Sequence, residues 1–210
     1  MLLAFDTASP TVTVALHDGS DVVAAATSPQ AMRHGEQLAP LIERVLAEAG
    51  ARPADLTGIA VGVGPGPFTG LRVGLVTART MAHVLGVPVH GVCSLDALAL
   101  EAAASGEVTG DFLVATDARR KEVYLASYDA GGRRLDEPVV DKPAVLAARA
   151  AGLPVVGEGA RLYPDAFPDG RGPERPSAAW LARGVAEGRF AILGPEPLYL
   201  RRPDAVPSLR

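Results

Sequence analysis

The chain has 210 residues, with 24 acidic and 20 basic side chains, a net charge of −4, and 48% hydrophobic and 21% charged content. That is a globular composition with room for one large domain or two small ones. It excludes a protein that holds nucleic acid through its overall field, because such chains are basic as a whole or over one face.

The first strand is Leu2–Leu3–Ala4–Phe5, ending at Asp6. No basic segment precedes this apolar run, so it does not read as a secretion signal. No stretch reaches the ~18 apolar residues of a membrane span. Val12, Val14 and Leu16 alternate with Thr11, Thr13 and Ala15, which is the period of a strand, and Asp18–Gly19 closes it with a turn. DVVAAAT returns as a third strand. Leu38, Leu41, Ile42, Val45, Leu46 and Ala49 then form one apolar stripe at helical spacing. Pro40 fits a helix only in its first turn, which puts the start near Glu36, and Gly50 ends it. TGIAVGVG reads as a buried strand, residues 70–85 as a second helix, and VPVHGV as the next strand. SLDALALEAAA is a third helix with Ser94 as its cap. Cys93 reads as a small buried apolar residue. A lone cysteine allows no disulfide within the chain, which fits a reducing, cytoplasmic setting.

Residues 106–110 read as a hinge. Beyond it, DFLVATDARRKEVYLASYDAGG repeats the plan of LLAFDTASPTVTVALHDG. A shift of 111 pairs Asp6 with Asp117, Val12 with Val123, Val14 with Leu125, Ala15 with Ala126 and Asp18 with Asp129. This predicts an internal duplication and an α/β protein of two lobes, 1–106 and 107–210. In the second lobe Pro143 opens a short helix over 143–151, LPVVGEG is a strand, and 164–176 is a proline-rich surface loop. Ser177 caps a helix to about Glu187, and prolines 195, 197, 203 and 207 keep the end extended as a tail wrapped over the surface.

The stretch GVGPGPFTGLRVG, residues 62–74, has the look of a phosphate loop. It lacks the lysine of a Walker A loop, and its glycines do not complete G-x-G-x-x-G. Pro65 and Pro67 each remove a backbone donor from any anion nest. Pro65–Gly66 instead suits a type II turn. Only the N–H groups of Phe68, Thr69 and Gly70 are left for an anion at the helix start. Arg72 lies in the first turn, where the dipole disfavours a cation by roughly 0.3–1 kcal/mol, so it is expected to point at an acidic partner or ligand group. Gly70, Gly74, Ala78 and Ala82 recur every four residues as a ridge of small side chains, which suits close packing on the sheet or on a partner helix. Arg72, Arg79 and His83 form a separate polar stripe.

Catalytic signals elsewhere are thin. The histidines (17, 34, 83 and 90) show neither H-E-x-x-H nor i, i+4 pairing, and no G-x-S-x-G occurs. Asp6–Thr7 and Asp117 sit at strand ends, where carboxylates can hold a hydrated metal and a nucleotide phosphate, or simply cap a turn. The basic groups Arg119–Arg120–Lys121, Arg133–Arg134 and Arg201–Arg202 are scattered, so an RNA process would need a partner for most of the grip.

FDTAS (5–9), RHGEQLAPLIERVL (33–46), GVGPGPFTGLRVGLVTAR (62–79), DARRKEVYLASYD (117–129) and PLYLRRPD (197–204) together resemble the TsaB (YeaZ) family of tRNA threonylcarbamoyladenosine (t6A) biosynthesis. The resemblance implies two RNase H-like lobes of the actin/Hsp70/sugar-kinase (ASKHA) superfamily, with mixed sheets flanked by helices. It implies a non-catalytic, cytoplasmic subunit with no metal and no catalytic residue of its own. Its partner would be the TsaD-type paralogue, which carries the metal and transfers the threonylcarbamoyl group to adenosine 37 of tRNAs reading ANN codons. A TsaE-type ATPase joins the complex, tRNA is met through that complex, and ATP or ADP has a place only at the shared interface. The family's partner face is a four-helix bundle built from the first two helices. Here that implies Leu38, Leu41, Ile42, Val45, Gly70, Leu71, Gly74, Ala78 and Ala82, with homodimers when TsaD is absent. Asp6, Thr7, Phe68, Thr69, Gly70, Arg72 and Asp117 form a candidate anion or ligand rim. Asp6, Thr7 and Asp117 also keep open an ATP-dependent phosphotransferase of the same superfamily. An M22-type glycoprotease finds no support in these residues.

Overall fold

A computed structural model describes residues 1–28 and 30–201. Two five-stranded sheets carry the fold. In the first, β1 (Leu2–Asp6), β2 (Thr13–His17), β3 (Val22–Thr27), β4 (Gly58–Gly64) and β5 (Val89–Cys93) take the order β3-β2-β1-β4-β5. In the second, β6 (Phe112–Asp117), β7 (Val123–Tyr128), β8 (Val139–Asp141), β9 (Val155–Val156) and β10 (Gly170–Arg171) take the order β8-β7-β6-β9-β10. Each sheet has two antiparallel joins followed by two parallel ones. The identical order gives the two lobes that the duplicated sequence predicts, with the RNase H-like, ASKHA-type fold that the family resemblance implies.

The duplication is not in constant register. Asp6 pairs with Thr13, seven residues on, whereas Asp117 pairs with Val123, six on. The offset of 111 therefore holds for the first strand of each lobe and slips by one through the second. Val14 answers to Tyr124, not Leu125, because the connecting turn is one residue shorter in the second lobe.

The helices are α1 (His34–Glu48), α2 (Phe68–Leu85), α3 (Ser94–Ser105), α4 (Pro143–Leu146), α5 (Glu158–Leu162) and α6 (Ala178–Ala186). Leu3, Phe5, Val14, Leu16 and Ile59 face α1 and α2. Alternate residues Ala4, Ala15 and Ala60 face α6, as the two-residue strand period requires. Helix α3 packs on Phe112, Val114 and Tyr128 of the second sheet, whose other face meets Leu146 of α4 and Ala160 of α5. Helices α3 and α6 thus lie between the sheets. A chain division at 106/107 is proposed on strand content alone, since α3 and α6 pack across it. Being covered on both sides, α3 is apolar nearly all round.

Several local expectations need correction. Helix α1 starts at His34, so Pro40 lies in its second turn, on the exposed side. Ser94 does not cap α3; its hydroxyl bonds Asp6 instead. Ser177 occupies the N-cap of α6 without a side-chain bond, and the first helical N–H, on Ala178, goes to Thr13 Oγ1 at 2.6 Å. The 143–151 helix is only α4 followed by a 3₁₀ turn at Ala147–Ala150. A two-residue strand, β10, runs inside the proline-rich loop. The tail passes β5 through reciprocal bonds between Gly91 and Leu193 (2.8 and 3.0 Å), then donates from Leu198 N–H to the Val63 carbonyl at 2.8 Å. Pro203, Pro207 and the end of the PLYLRRPD stretch lie outside the described residues.

One carboxylate between the lobes titrates unusually. Glu101 of α3 meets Trp180 of α6, its Oε2 is buried without a partner, and burial pushes its pKa up to about 7. The folded chain therefore holds this proton between the ordinary value of 4.5 and about 7 while the unfolded chain loses it, so stability falls across that window and levels off above it. Glu101→Gln is expected to add about 1 kcal/mol at pH 8, after allowing for screening of a half-exposed group, and nothing at pH 4.5. Thermal melts of both proteins at the two pH values check this.

Candidate functional site

The glycine loop and the Asp6–Thr7–Ala8 turn form one packed unit. A Cβ at Gly62 would overlap the Asp6 carboxylate. One at Gly66 would overlap the Ala8 carbonyl, and one at Gly70 would stand 2.5 Å from the Thr7 carbonyl oxygen. One at Gly74 would overlap Thr7 Oγ1. The motif is therefore a mould for residues 6–8, and glycine is required for close backbone approach. The left-handed residue is Gly64, at φ 98, and Gly66 has no positive φ. The expected type II turn, which needs positive φ at Gly66, is therefore absent.

Asp6 is buried in this mould. Its Oδ1 accepts from Ala8 N–H at 2.7 Å and its Oδ2 from Ser94 Oγ at 2.5 Å. Burial raises its pKa against the lowering effect of those two donors. Thr7 is also buried and donates to the Gly70 carbonyl at 2.8 Å. Asp117, in the second lobe, accepts from Arg119 N–H at 2.9 Å and pairs with the Arg119 guanidinium at 3.4 Å. Asp6, buried against Ser94 and Ala8, does not line the cleft that Asp117 lines with Ala8, Ser9, Ser94, Thr116 and Arg119, which leaves only about 10 Å³ of free space. That is room for roughly one water. Small-molecule sites typically need about 300 Å³ or more, so the residues present do not fit a nucleotide in this cleft.

The expected rim splits. Asp6, Thr7 and Gly70 are buried, Asp117 lies across the cleft, and only Phe68, Thr69 and Arg72 face solvent from α2. Within the chain the Arg72 guanidinium lies 3.8 Å over the Phe68 ring. Tyr199 of the tail stacks on the same ring at 5.0 Å. Ser94 and Tyr199 were not foreseen as members of the site. A serine directly after a strand and before an apolar helix reads as a cap, and nothing local ties Tyr199 to Phe68.

The expected partner-interface residues are placed on the wrong side. Leu38, Leu41, Ile42, Val45, Gly70, Leu71, Gly74, Ala78 and Ala82 are all buried, packed inward against the first sheet and the 6–8 turn. The small-residue ridge lets α2 sit down on Thr7. The solvent face of α2 is instead Arg72, Val76, Arg79, Thr80, His83 and Val84, with Val76 62% and Val84 75% exposed. Beside it, α1 exposes Glu36, Ala39, Pro40, Glu43, Arg44, Ala47 and Glu48. Cys93 is fully buried and its thiol pKa is raised by desolvation, as expected of an inert core residue. No described helix is long and apolar enough to cross a membrane.

Comparisons with known proteins point to one family. A family model described as TsaD, tRNA N6-adenosine threonylcarbamoyltransferase, matches residues 22–168. An uncharacterized protein of Mycobacterium tuberculosis is 44% identical, with 98% of this chain and 94% of that one covered. The solved structure of YeaZ from Pseudomonas aeruginosa superposes with a TM-score of 0.79 at 29% identity, over 95% of this chain and 99% of that one. The tRNA threonylcarbamoyladenosine biosynthesis protein TsaB of Escherichia coli is 32% identical over 78% of this chain and 74% of its own length. With a TsaB relative aligned over most of both chains and the YeaZ fold reproduced end to end, this chain belongs to the TsaB (YeaZ) family.

Proposed function

We propose that the chain is the activating, non-catalytic subunit of t6A formation, pairing with a TsaD-type paralogue that modifies adenosine 37 in tRNAs reading ANN codons. The observation that carries this reading is the filled cleft. The aspartate at the end of β1 is sealed under Ser94 and Ala8, and the glycine loop that resembles a phosphate cradle is closed on that turn. The fold is of a catalytic type, but its centre is packed with its own residues. In this reading ATP or ADP has a place only at the interface with the partner, a TsaE-type ATPase joins the complex, and the setting is the cytoplasm. The partner surface in this reading is the outward face of α1 and α2, used for a homodimer when the paralogue is absent.

Depleting the protein is expected to lower threonylcarbamoyladenosine in total tRNA severalfold, read by mass spectrometry of nucleosides. Unchanged levels would sink the reading. A phosphotransferase would need the cleft to open, and ATP turnover by the pure protein would be its sign.

A further inference from the structure

Two of the basic groups that lie far apart in the sequence come together in the fold. Arg201 pairs with Glu122, and its Nη1 donates to the Ala118 carbonyl at 3.5 Å. The turn it reaches holds Arg119, Arg120 and Lys121, all exposed, with φ of 62, 56 and 61. Three successive left-handed residues with side chains are disfavoured, and such outliers persist only where the surroundings hold them. Here Glu122 N–H donates to the Arg119 carbonyl and Ala118 N–H to the Glu122 carbonyl, each at 3.0 Å. Asp117 and Met32 hold the Arg119 side chain at 3.4 and 3.5 Å. Two residues before Arg201, Tyr199 lies stacked on Phe68 under Arg72, and the two rings remain 39% and 37% exposed. The result is one surface strip: Arg72, Phe68, Tyr199, Arg201 and the 119–121 turn.

We propose that this strip contacts single-stranded RNA directly, the exposed Tyr199 ring taking an unstacked base and the cations taking phosphates. Aromatic side chains interleaved with arginine and lysine are the chemistry that single-stranded nucleic acid selects. Asp117 and Glu122 offset Arg119 and Arg201, Arg120 is engaged as well, and the whole chain carries −4. The strip is therefore a local positioning contact, with most of the affinity supplied by the rest of the complex. It rests on the tRNA-modification reading, and changes that reading from tRNA met through partners to tRNA touched by this subunit.

The test is fluorescence anisotropy of a labelled tRNA anticodon stem-loop, titrated with the full chain alone and in complex with its TsaD-type partner, across roughly 50–200 mM salt. Lys121→Ala and Lys121→Gln are each expected to weaken binding roughly threefold and to flatten the salt slope by about one. Tyr199→Leu keeps an apolar cover on Phe68 and is expected to cost roughly fivefold or more at an unchanged melting temperature. Wild-type affinity and slope in these variants, or no RNA binding by chain or complex, would overturn the proposal. So would a Tyr199→Leu defect that tracks a lower melting temperature while the basic variants are silent, which would make the stack a clasp for the tail. Variants that bind RNA normally but lose an acidic protein subunit would make the strip a protein contact. Depletion that lowers t6A while the variants bind RNA normally removes the strip and leaves the function standing. Depletion without effect on t6A removes the function, and the anisotropy still decides the strip.

Discussion

Gly66→Ala is expected to lower the melting temperature by roughly 6–12 °C. The added methyl would overlap the Ala8 carbonyl oxygen and stand 2.8 Å from Ala8 Cα and 2.9 Å from its carbonyl carbon. These neighbours are backbone atoms, and Asp6 fixes that backbone through the Ala8 N–H at 2.7 Å. The turn cannot yield without breaking the buried Asp6 and Ser94 bonds. Overpacking costs about 1–3 kcal/mol where side chains can give, and here the upper end, about 3 kcal/mol, applies. A chain of this size loses about 2–4 °C per kcal/mol. Gly35→Ala is the control: nothing lies within 4 Å of its added Cβ, and it sits in the first turn of α1, so its melt should match or exceed the wild type. Melts followed by circular dichroism decide between them, and a Gly66→Ala protein melting within 2 °C of the wild type would refute the mould.

What the sequence shows and what it hides follow from the range of the forces involved. Strand alternation in Val12–Leu16 and the stripe from Leu38 to Ala49 are local signals, and both elements formed. The period-four ridge of Gly70, Gly74, Ala78 and Ala82 is equally local, but periodicity defines a helix face without saying what covers it. Only the three-dimensional partner, Thr7, sixty-three residues from Gly70 in the chain, shows that the ridge looks inward. Ser94 misleads for a related reason. Its position before an apolar helix suits a cap, yet Asp6, eighty-eight residues away, is the better acceptor once both are buried. Asp6 and Asp117 look like phosphate or metal ligands because their strand-end positions match. Whether either of them reaches an open cleft depends on how two lobes close, and no single segment records that. The second lobe is harder to read because its elements are short: β9 and β10 have two residues each and α4 has four, too few for a period to emerge.

Val76→Asp is expected to abolish self-association and to weaken binding to the TsaD-type partner at least tenfold, with the melting temperature unchanged. Val76 lies at the centre of the outward face of α2, flanked by Arg72, Arg79, Thr80 and His83 at helical spacing. It is 62% exposed, so replacing it disturbs no core contact, and surface changes of this kind stay within about 0.5 kcal/mol of the wild type. The neighbouring α1 presents Glu43, with Glu36 paired to Arg33 and Glu48 to Arg44, and the small residues Ala39 and Ala47 between them. A two-fold pairing would set the basic α2 face of one copy against Glu43 and the small residues of α1 in the other, and in a symmetric dimer each copy supplies both faces. An aspartate at 76 replaces the apolar centre of that contact with a charge that must be desolvated, and changes at such central positions typically cost about 2 kcal/mol or more. Gly74→Leu separates the two faces. It drives a side chain into Thr7 on the inward side and should lower the melting temperature, whereas Val76→Asp should act on association alone. Size-exclusion with light scattering, a pull-down with the TsaD-type subunit and a thermal melt of each variant suffice. If Val76→Asp still dimerises and still captures the partner, the outward face of α1 and α2 is not the interface.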